Sequence, residues 1–322
     1  MQTPIPKRTA VFINASAGDG YTSEWARHLA DKFQSHGMSA HVTLARSGDE
    51  ILEASQFAAR DGYEVIVAGG GDGTINTVAS ALVGTDIAFG VLPLGTLNHF
   101  AKDLHIPLDL DAAVRNIAAL HSVKIDAAEV NGRIFLNNSS LGLYPDIVRH
   151  RETQQRRLGR GKWPAFFLGY RDGIASLSVF LNVTLSLNNE EHKRRTPFIF
   201  VGNNEYLMEG FNIGGRKRLD SGQLCLYVTH RTGRLGLLLL AIRALFGRLR
   251  QAKDFDAVAA REVLIETRHK RIRVATDGEV TVMETPLRYR NCPGALNVIV
   301  PQDVDTKAAN HADAGPSVGS PL

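Results

Sequence analysis

A run of glycines directly after a short apolar segment constrains this chain more than any other feature. Residues 65–68 read Val-Ile-Val-Ala, residues 69–74 read Gly-Gly-Gly-Asp-Gly-Thr, and a helical apolar pattern follows. Glycines let the backbone approach a ligand closely and adopt positive φ. The amide groups that begin a helix attract phosphate oxygens. The segment therefore predicts a buried strand, a phosphate-binding loop and a helix.

The aspartate inside this loop indicates chemistry more than passive binding. Asp72 would repel a bare phosphate, but it fits beside a magnesium ion or beside a hydroxyl group that must lose its proton. A P-loop is excluded because Thr74 and Ile75 stand where Lys and Ser or Thr are needed. The dinucleotide fingerprint is excluded because Asn76 replaces its third glycine. The structural alternative is a tight strand-to-helix turn capped by Asp72.

Length and composition are those of an ordinary soluble globular protein. The 322 residues fit two domains or one large one, and 44% hydrophobic with 22% charged residues is a typical balance. A formal net charge of +4 does not indicate a polyanion binder. Cys225 and Cys292 imply no disulfide framework. No apolar signal core and no run long enough to span a bilayer are evident, so a cytoplasmic protein is expected.

The order of apolar patterns predicts two kinds of structure. Residues 10–121 alternate between strand-like and helix-like segments, which indicates a parallel α/β sheet. Ligands of such sheets lie at the carboxyl ends of the strands, where the loops after Asn14, Gly70 and Pro93 are expected to meet. From residue 123 the pattern becomes mainly β, beginning with a hairpin at Asn131-Gly132. Helical insertions are expected at residues 152–177 and 232–251, and the tail from residue 303 should be disordered.

Four motifs in a fixed order carry a family resemblance. They are Gly-Gly-Asp-Gly-Thr-Ile-Asn at residues 70–76, Pro-Leu-Gly-Thr-Leu-Asn-His-Phe-Ala at 93–101, Ser-Leu-Gly-Leu at 140–143 and Thr-Asp-Gly-Glu at 276–279. This series resembles the diacylglycerol kinase catalytic-domain family, which includes bacterial lipid kinases, sphingosine kinases and ceramide kinases. The resemblance spans roughly residues 8–301. NAD kinases and phosphofructokinases are similar only in their first domain.

The resemblance implies a fold and a set of nucleotide contacts. The fold is an α/β ATP-binding domain with a parallel sheet (residues 1–121), a mainly β lipid-binding domain (122–302) and an active site in the cleft between them. ATP and Mg²⁺ are the implied cofactors. The implied nucleotide-binding residues are Asn14, Thr43, Gly70, Gly71, Asp72, Gly73, Thr74, Ile75, Asn76, Thr96 and Asn98. By similarity to sphingosine kinases, Asp146 is implied to bind the lipid head group.

Three carboxylates are candidates for the catalytic step. Phosphoryl transfer needs charge neutralisation at the phosphate and a group that accepts the alcohol proton. Asp72, Asp277 and Glu279 are the candidates. Bacterial relatives use the position of Asp277 or Glu279 as the base, while sphingosine kinases favour that of Asp72, so the choice stays open. Taken alone, residues 276–279 fit a plain turn between two strands better than a catalytic site.

One family feature is altered in this chain. Many bacterial members have Asp-Asp-Gly or Asn-Asp-Gly where this chain has Asp-Ser-Gly at residues 220–222. The position before the glycine holds a structural magnesium in the family, and Ser221 is a poorer ligand for a hard cation. Asp220 is the candidate substitute.

The resulting interpretation is an ATP-dependent lipid kinase that phosphorylates a hydroxyl of a diacylglycerol-like lipid. The alternatives are a sphingoid-base or other lipid kinase of the same fold, and a catalytically inactive nucleotide-binding regulatory protein. Basic and aromatic residues at 149–170, or a second segment at 231–250, predict peripheral contact with an anionic membrane surface. A solvated basic face is the alternative. No nucleic-acid recognition module is evident, and a homodimer is left open.

Overall fold

The computed structural model describes residues 7–16, 21–142, 180–187, 190–209, 212–216, 218–229 and 255–302. Asp146, the two predicted helical insertions, both basic segments and the tail from residue 303 lie outside the described residues. The chain divides into two units. The first contains the described residues up to Ala127 and those from Pro293 onward, and the second contains residues 128–292.

The first unit is built on a parallel sheet. Its strands are β1 (Arg8–Asn14), β2 (Ser39–Ala45), β3 (Val65–Gly70) and β4 (Ala88–Pro93), in the order β2-β1-β3-β4. Its helices are α1 (Ser23–Ser35), α2 (Gly48–Arg60), α3 (Asp72–Leu82), α4 (His99–Asp103) and α5 (Leu110–Ala119). Helix starts follow the capping rules, because the side chains of Thr22, Ser47 and Asp109 accept backbone N–H groups at α1, α2 and α5.

Apolar residues from the strands and from the helices form the core of this unit. Val11, Ile13, Val65 and Val67 on the sheet pack with Leu29, Phe33, Val114 and Ile117 from α1 and α5. Helices α2 and α3 contact strands β1 and β3. All six residues of β3 are buried, as expected for a central strand covered on both faces. This burial fixes the point at which the glycine loop leaves the sheet.

The second unit is mainly β, as predicted. The strands that follow β4 in the chain, of which β5 and β18 lie partly in the first unit, are β5 (Ser122–Val130), β6 (Arg133–Phe135), β7 (Asn138–Gly142), β8 (Leu181–Leu187), β9 (Glu190–Thr196), β10 (Phe198–Asn203), β11 (Tyr206–Glu209), β12 (Asn212–Arg216), β13 (Leu224–Thr229), β14 (Phe255–Ala260), β15 (Glu262–Thr267), β16 (Arg271–Thr276), β17 (Glu279–Glu284) and β18 (Leu287–Ile299). One antiparallel sheet has the order β14-β13-β10-β7-β16-β17, and β18, β15, β8 and β9 pair in that order. Residues of both groups share one core, among them Leu141, Val201, Leu226, Val263 and Tyr289, so the strands form a sandwich.

The predicted domain boundaries need a correction. The sequence placed a first domain at residues 1–121 and a second at 122–302. In the structure β5 continues from the first unit into the second, and β18 returns from the second to the first. Asn297 and Val298 of β18 pair in parallel with Ala88 and Phe89 of β4. Because this pairing joins residues far apart in the chain, no local pattern in the sequence predicts it.

Two tight turns of the second unit have the same geometry. Asn131-Gly132 joins β5 to β6, and Asp277-Gly278 joins β16 to β17. The φ angles are 48° and 81° in the first turn and 47° and 88° in the second. Positive φ at both central residues is the type I′ hairpin, which Asn-Gly and Asp-Gly favour. The hairpin predicted at Asn131-Gly132 is therefore confirmed, and residues 276–279 do form a turn.

Among the described residues, no helix is both long and apolar enough to cross a membrane.

Candidate active site

Three loops meet at the carboxyl edge of the parallel sheet, as the strand order requires. Gly69 pairs with Ile13 of β1 and with Leu92 of β4, and Gly70 pairs with Pro93. The N–H of Leu94 donates to the carbonyl of Gly70 over 3.1 Å. The loops after β1, β3 and β4 therefore leave the sheet side by side, where the sequence expected them.

Asn14 joins the first of these loops to the glycine loop. Its Nδ2 donates to the Oγ1 of Thr74 over 3.2 Å, and its Oδ1 accepts the N–H of Ser16 over 3.0 Å. Thr74 is buried in the first turn of α3. The structure thus brings Asn14 and the start of α3 together, as the order of strands and loops predicted.

The glycines serve close packing rather than positive φ. Gly71 has a φ of −86°, and neither it nor its neighbours Gly69 and Gly70 are among the glycines with positive φ. The expectation of positive φ in this loop was wrong. A Cβ on Gly69 would instead collide with the side chain of Ile13, and one on Gly70 would lie 2.7 Å from the Cβ of Thr74. Glycine is needed at residues 69 and 70 because the neighbouring strand and α3 approach too closely for side chains, whereas Gly71 has room for a Cβ.

Asp72 lies where two helices begin. It is the first residue of α3, whose N-cap, Gly71, makes no side-chain capping hydrogen bond. Its Oδ1 accepts the N–H of Phe100, the second residue of α4, over 3.2 Å. Because no side chain caps α3, its first amide groups suit an anion such as a phosphate. The partly buried carboxylate of Asp72 stands beside them, so the arrangement fits a phosphate group together with a cation.

Three other predicted nucleotide-binding residues, Asn98, Thr96 and Thr43, differ in their surroundings. Asn98 is buried at a φ of 50°, and its side chain bonds to the N–H and carbonyl of Gly95 and to the carbonyl of Pro93. It therefore holds its own loop in shape. Thr96 in the same loop is exposed. Thr43 lies inside β2, paired with Phe12 and two residues before the strand ends.

Three further predicted residues, Gly73, Ile75 and Asn76, lie in the first part of α3. Ile75 is fully buried in the core, so only its backbone can face a ligand. Asn76 is partly buried, and Gly73 lies between Asp72 and Thr74 in the first turn. The nucleotide contribution of α3 is therefore expected from the backbone of its first turn.

In the second unit, the carboxylate of Asp277 is engaged by backbone amides. Its Oδ2 accepts the N–H of Leu136 over 2.7 Å, and its Oδ1 accepts those of Asn137 and Asn138 over 2.9 and 3.0 Å. Burial raises the pKa of the Asp277 carboxyl, while these three amides and the Arg216 guanidinium act in the opposite direction. Both oxygens already hold the chain, so Asp277 fits a structural role better than that of a base.

The segment that Asp277 holds is also bound by residues that the sequence did not single out. Arg216 is buried and donates to the carbonyl of Leu136 over 2.7 Å and to the Oδ1 of Asn137 over 2.8 Å. Asn203 donates to the same Leu136 carbonyl over 2.9 Å. The sequence signal that could have pointed to this cluster is Gly202-Asn203-Asn204, where a glycine and two asparagines follow an apolar segment. These bonds make residues 136–138 a rigid platform.

Glu279 differs from Asp277 in exposure and partner. Its side chain is 60% exposed, and its Oε2 lies 2.6 Å from the Nη2 of Arg133, whose side chain is 35% exposed. The Nε of Arg133 donates to the Oγ1 of Thr276 over 2.9 Å. Of the two acidic residues in this turn, Glu279 is the one whose carboxylate reaches solvent.

The predicted structural metal site at Asp220 does not fit the geometry. Its two carboxylate oxygens lie 3.0 and 3.3 Å from Nε and Nη2 of Arg218, which forms a two-point ion pair. The N–H and hydroxyl of Ser221 both donate to the Oδ1 of Asn204. Across the described ranges, no group of three or more His, Cys, Asp or Glu side chains could hold a metal ion. The arginine occupies the position that a cation would take.

Comparison with known proteins assigns a family to these features. A family model of the diacylglycerol kinase catalytic domain matches residues 8–130, and one of the YegS C-terminal NAD kinase beta sandwich-like domain matches residues 152–300. A diacylglycerol kinase of Staphylococcus aureus (strain MRSA252) is 36% identical over 306 residues, covering 92% of this chain and 94% of the relative. One from Staphylococcus carnosus (strain TM300) is 25% identical over 304 residues, covering 92% and 96%.

A solved structure supports the fold. The crystal structure of a diacylglycerol kinase from Bacillus anthracis str. Sterne aligns with a TM-score of 0.68 at 20% sequence identity, covering 92% of this chain and 98% of that chain. The match to the Staphylococcus aureus relative extends over nearly the full length of both chains. This match accounts for both the glycine loop and the Thr-Asp-Gly-Glu turn. The chain belongs to the diacylglycerol kinase catalytic-domain family.

Proposed function

We propose that the protein is an ATP-dependent lipid kinase that phosphorylates a hydroxyl group of a diacylglycerol-like lipid, with Mg²⁺ as the second cofactor. The observation that carries the proposal is the position of Asp72, beside the start of a helix that no side chain caps. Family membership supports the reaction class, and the names of the relatives support the lipid. ATP, when bound, supplies the phosphoryl group, and Mg²⁺ neutralises part of its charge.

The first unit offers the groups that such a nucleotide needs. The backbone amides at the start of α3 would hold phosphate oxygens, and Asn14 braces that turn through Thr74. Asp72 would face the magnesium that accompanies the nucleotide, since Mg²⁺ is commonly held by one or two carboxylates plus substrate phosphates. Asn98 keeps the neighbouring loop in shape. These roles need no metal site at Asp220.

The second unit offers a group that can accept a proton. When the lipid hydroxyl oxygen bonds to phosphorus, its hydrogen must leave, and the carboxylate of Glu279 would take it. The products are the phosphorylated lipid, ADP and that proton. Asp277 would hold the turn that carries Glu279, because its own oxygens bond to residues 136–138. The predicted peripheral contact with an anionic membrane surface stays part of this proposal, and its two candidate segments lie outside the described residues.

A panel of lipids incubated with γ-labelled ATP tests the proposal directly. Diacylglycerol, monoacylglycerol, sphingosine and ceramide would be presented separately in mixed detergent micelles, and the products would be separated by chromatography. Label in phosphatidic acid is the expected result. Label only in a phosphorylated sphingoid base would establish the alternative substrate. If ATP binds by calorimetry but no lipid acquires label, the kinase proposal fails and a regulatory nucleotide-binding protein is the better description.

A further inference from the structure

We propose that Arg133 is a positioning residue that fixes the carboxylate of Glu279 for proton transfer, an inference that rests on the proposed function. Arg133 contacts Glu279 over 2.6 Å through Nη2 and Thr276 over 2.9 Å through Nε. The guanidinium is therefore held at two points. One is the hydroxyl of Thr276, a residue that is 1% exposed, and the other is the exposed carboxylate of Glu279.

The planar guanidinium is suited to this task. Its N–H groups have fixed directions, so a bond from Nε to the buried Thr276 sets the direction in which Nη2 points. A lysine ammonium is a point charge on a flexible stem, and it lacks the fixed planar arrangement of donors that holds both partners at once. The Oε1 oxygen of Glu279 takes no part in the contact with Arg133. One carboxylate oxygen is thus fixed while the other can receive a proton.

The backbone on both sides of the contact is rigid. Arg133 is the first residue after the Asn131-Gly132 turn, and Glu279 is the first after the Asp277-Gly278 turn. Asn131 bonds through its Oδ1 to the N–H of Arg288, which anchors its turn. Asp277 anchors the other turn to residues 136–138, directly after the strand that carries Arg133. Two anchored hairpins therefore present the two side chains to each other.

Stability alone does not explain the pair. Ion pairs with such exposed partners contribute little to folding, because water screens them and two long side chains lose freedom. The same β16–β17 hairpin has a comparison pair at its far end, where Arg271 lies 3.1 Å from Glu284 with side chains 72% and 76% exposed. Only the pair at the turn is fixed by a buried third residue. This difference points to orientation of Glu279 as the role of Arg133.

The test combines two single variants, their double variant and a control. Arg133→Gln should lower kcat for the lipid between about tenfold and a hundredfold, the scale expected when a reacting group is misplaced, with KM for ATP and the Tm near wild type. Arg133→Lys should recover only part of the loss. Adding Arg133→Gln to Glu279→Gln should cost little more than Glu279→Gln alone, because Arg133 acts through Glu279. Arg271→Gln should leave kcat unchanged.

Each contrary result has a distinct meaning. An unchanged kcat in Arg133→Gln would overturn the inference, and so would an equal further loss in the Glu279→Gln background, which would show an independent role. Recovery of full kcat by Arg133→Lys would mean that charge alone is required, which also contradicts positioning by the guanidinium plane. If wild type itself labels no lipid while it binds ATP, the proposed function fails first and takes this inference with it.

Discussion

Gly95 approaches Gly71 so closely that a Cβ atom on Gly95 would collide with the Cα of Gly71, whereas a Cβ on Gly71 would meet the Cα of Gly95 at an ordinary 3.6 Å. The two glycines belong to the loops after β4 and β3. Their contact is what lets those loops lie side by side at the edge of the sheet. Because only a side chain at residue 95 would collide, substitution of Gly95 tests the packing of the loops, and substitution of Gly71 tests the binding of a phosphate.

We expect Gly95→Ala to destabilise the protein and Gly71→Ala to leave its stability near wild type. The added methyl at residue 95 meets backbone, which cannot move aside as a side chain can, and overpacking of this kind costs about 1–3 kcal/mol. Gly71 has ordinary negative φ, so alanine fits there without strain. Urea unfolding measures both effects. A Gly95→Ala protein as stable as wild type would contradict the packing that the structure describes.

The same Gly71→Ala variant tests the phosphate loop. If phosphates approach the start of α3, a methyl group at the N-cap should weaken ATP binding although the fold is intact. Isothermal calorimetry gives the dissociation constant. Unchanged ATP affinity in this folded variant would mean that the loop after β3 does not hold the phosphates.

Asp72→Asn should show whether the charge of Asp72 is needed for activity, because the substitution removes the charge and keeps the hydrogen-bond acceptor. Asparagine keeps an Oδ1 that can accept the N–H of Phe100, so the Tm should change little. Loss of the negative charge that would face the magnesium should lower kcat by about 10²–10⁴, the scale for acid-base and metal-holding groups. Asp109→Asn is the matched control, because Asp109 also begins a helix of the first unit. Near-normal turnover in folded Asp72→Asn would rule out a central role for the carboxylate.

Asp277→Asn and Glu279→Gln should have opposite effects on stability and turnover. In Asp277→Asn an NH₂ group replaces an oxygen that accepts backbone N–H bonds, so about 1–3 kcal/mol of unfolding free energy should be lost. Glu279 is exposed, so Glu279→Gln should change stability by less than about 0.5 kcal/mol while lowering kcat. Denaturant titration and the lipid assay decide between the roles. A destabilised Glu279→Gln with normal kcat would reverse the assignment.

The sequence predicted structure best where its cause is local. The strand, the glycine loop and α3 follow from neighbouring residues, and so does the hairpin at Asn131-Gly132. The glycine loop also shows the limit of local reasoning. Its position was predicted correctly, but the reason for glycine at residue 69 lies in Ile13, which comes from another strand.

Long-range pairs decide the parts that the sequence missed. The amides that bind Asp277 lie 139 to 141 residues earlier in the chain, and Arg133 lies 146 residues before Glu279. Nothing in the local pattern distinguishes a catalytic carboxylate from one that holds a turn, because both follow from the same Asp-Gly-Glu order. Asp220 shows a different limit, because Arg218, two residues earlier in the chain, pairs with the carboxylate where a cation was expected.

Burial should protect Cys225 from alkylation in the folded protein. Its side chain lies among Tyr206 and Tyr227 at 4% exposure, and burial raises the pKa of its thiol from 9.0 to about 11. Alkylation requires the thiolate, and the shift from 9.0 to about 11 leaves about a hundredfold less thiolate near neutral pH. Iodoacetamide at pH 8 should therefore modify Cys292, which is partly exposed, long before Cys225.

Peptide mass spectrometry after timed labelling checks this expectation, with Cys292→Ser as the variant that leaves Cys225 as the single thiol. In that variant the labelling rate should rise as the pH approaches about 11, where the buried thiol ionises, and labelling at pH 8 should become fast once urea unfolds the chain. The sign is fixed by burial, because desolvation disfavours the charged thiolate. Rapid labelling of Cys225 at pH 8 without denaturant would show that the face of the sheet carrying Tyr206 and Tyr227 opens to solvent in the native protein.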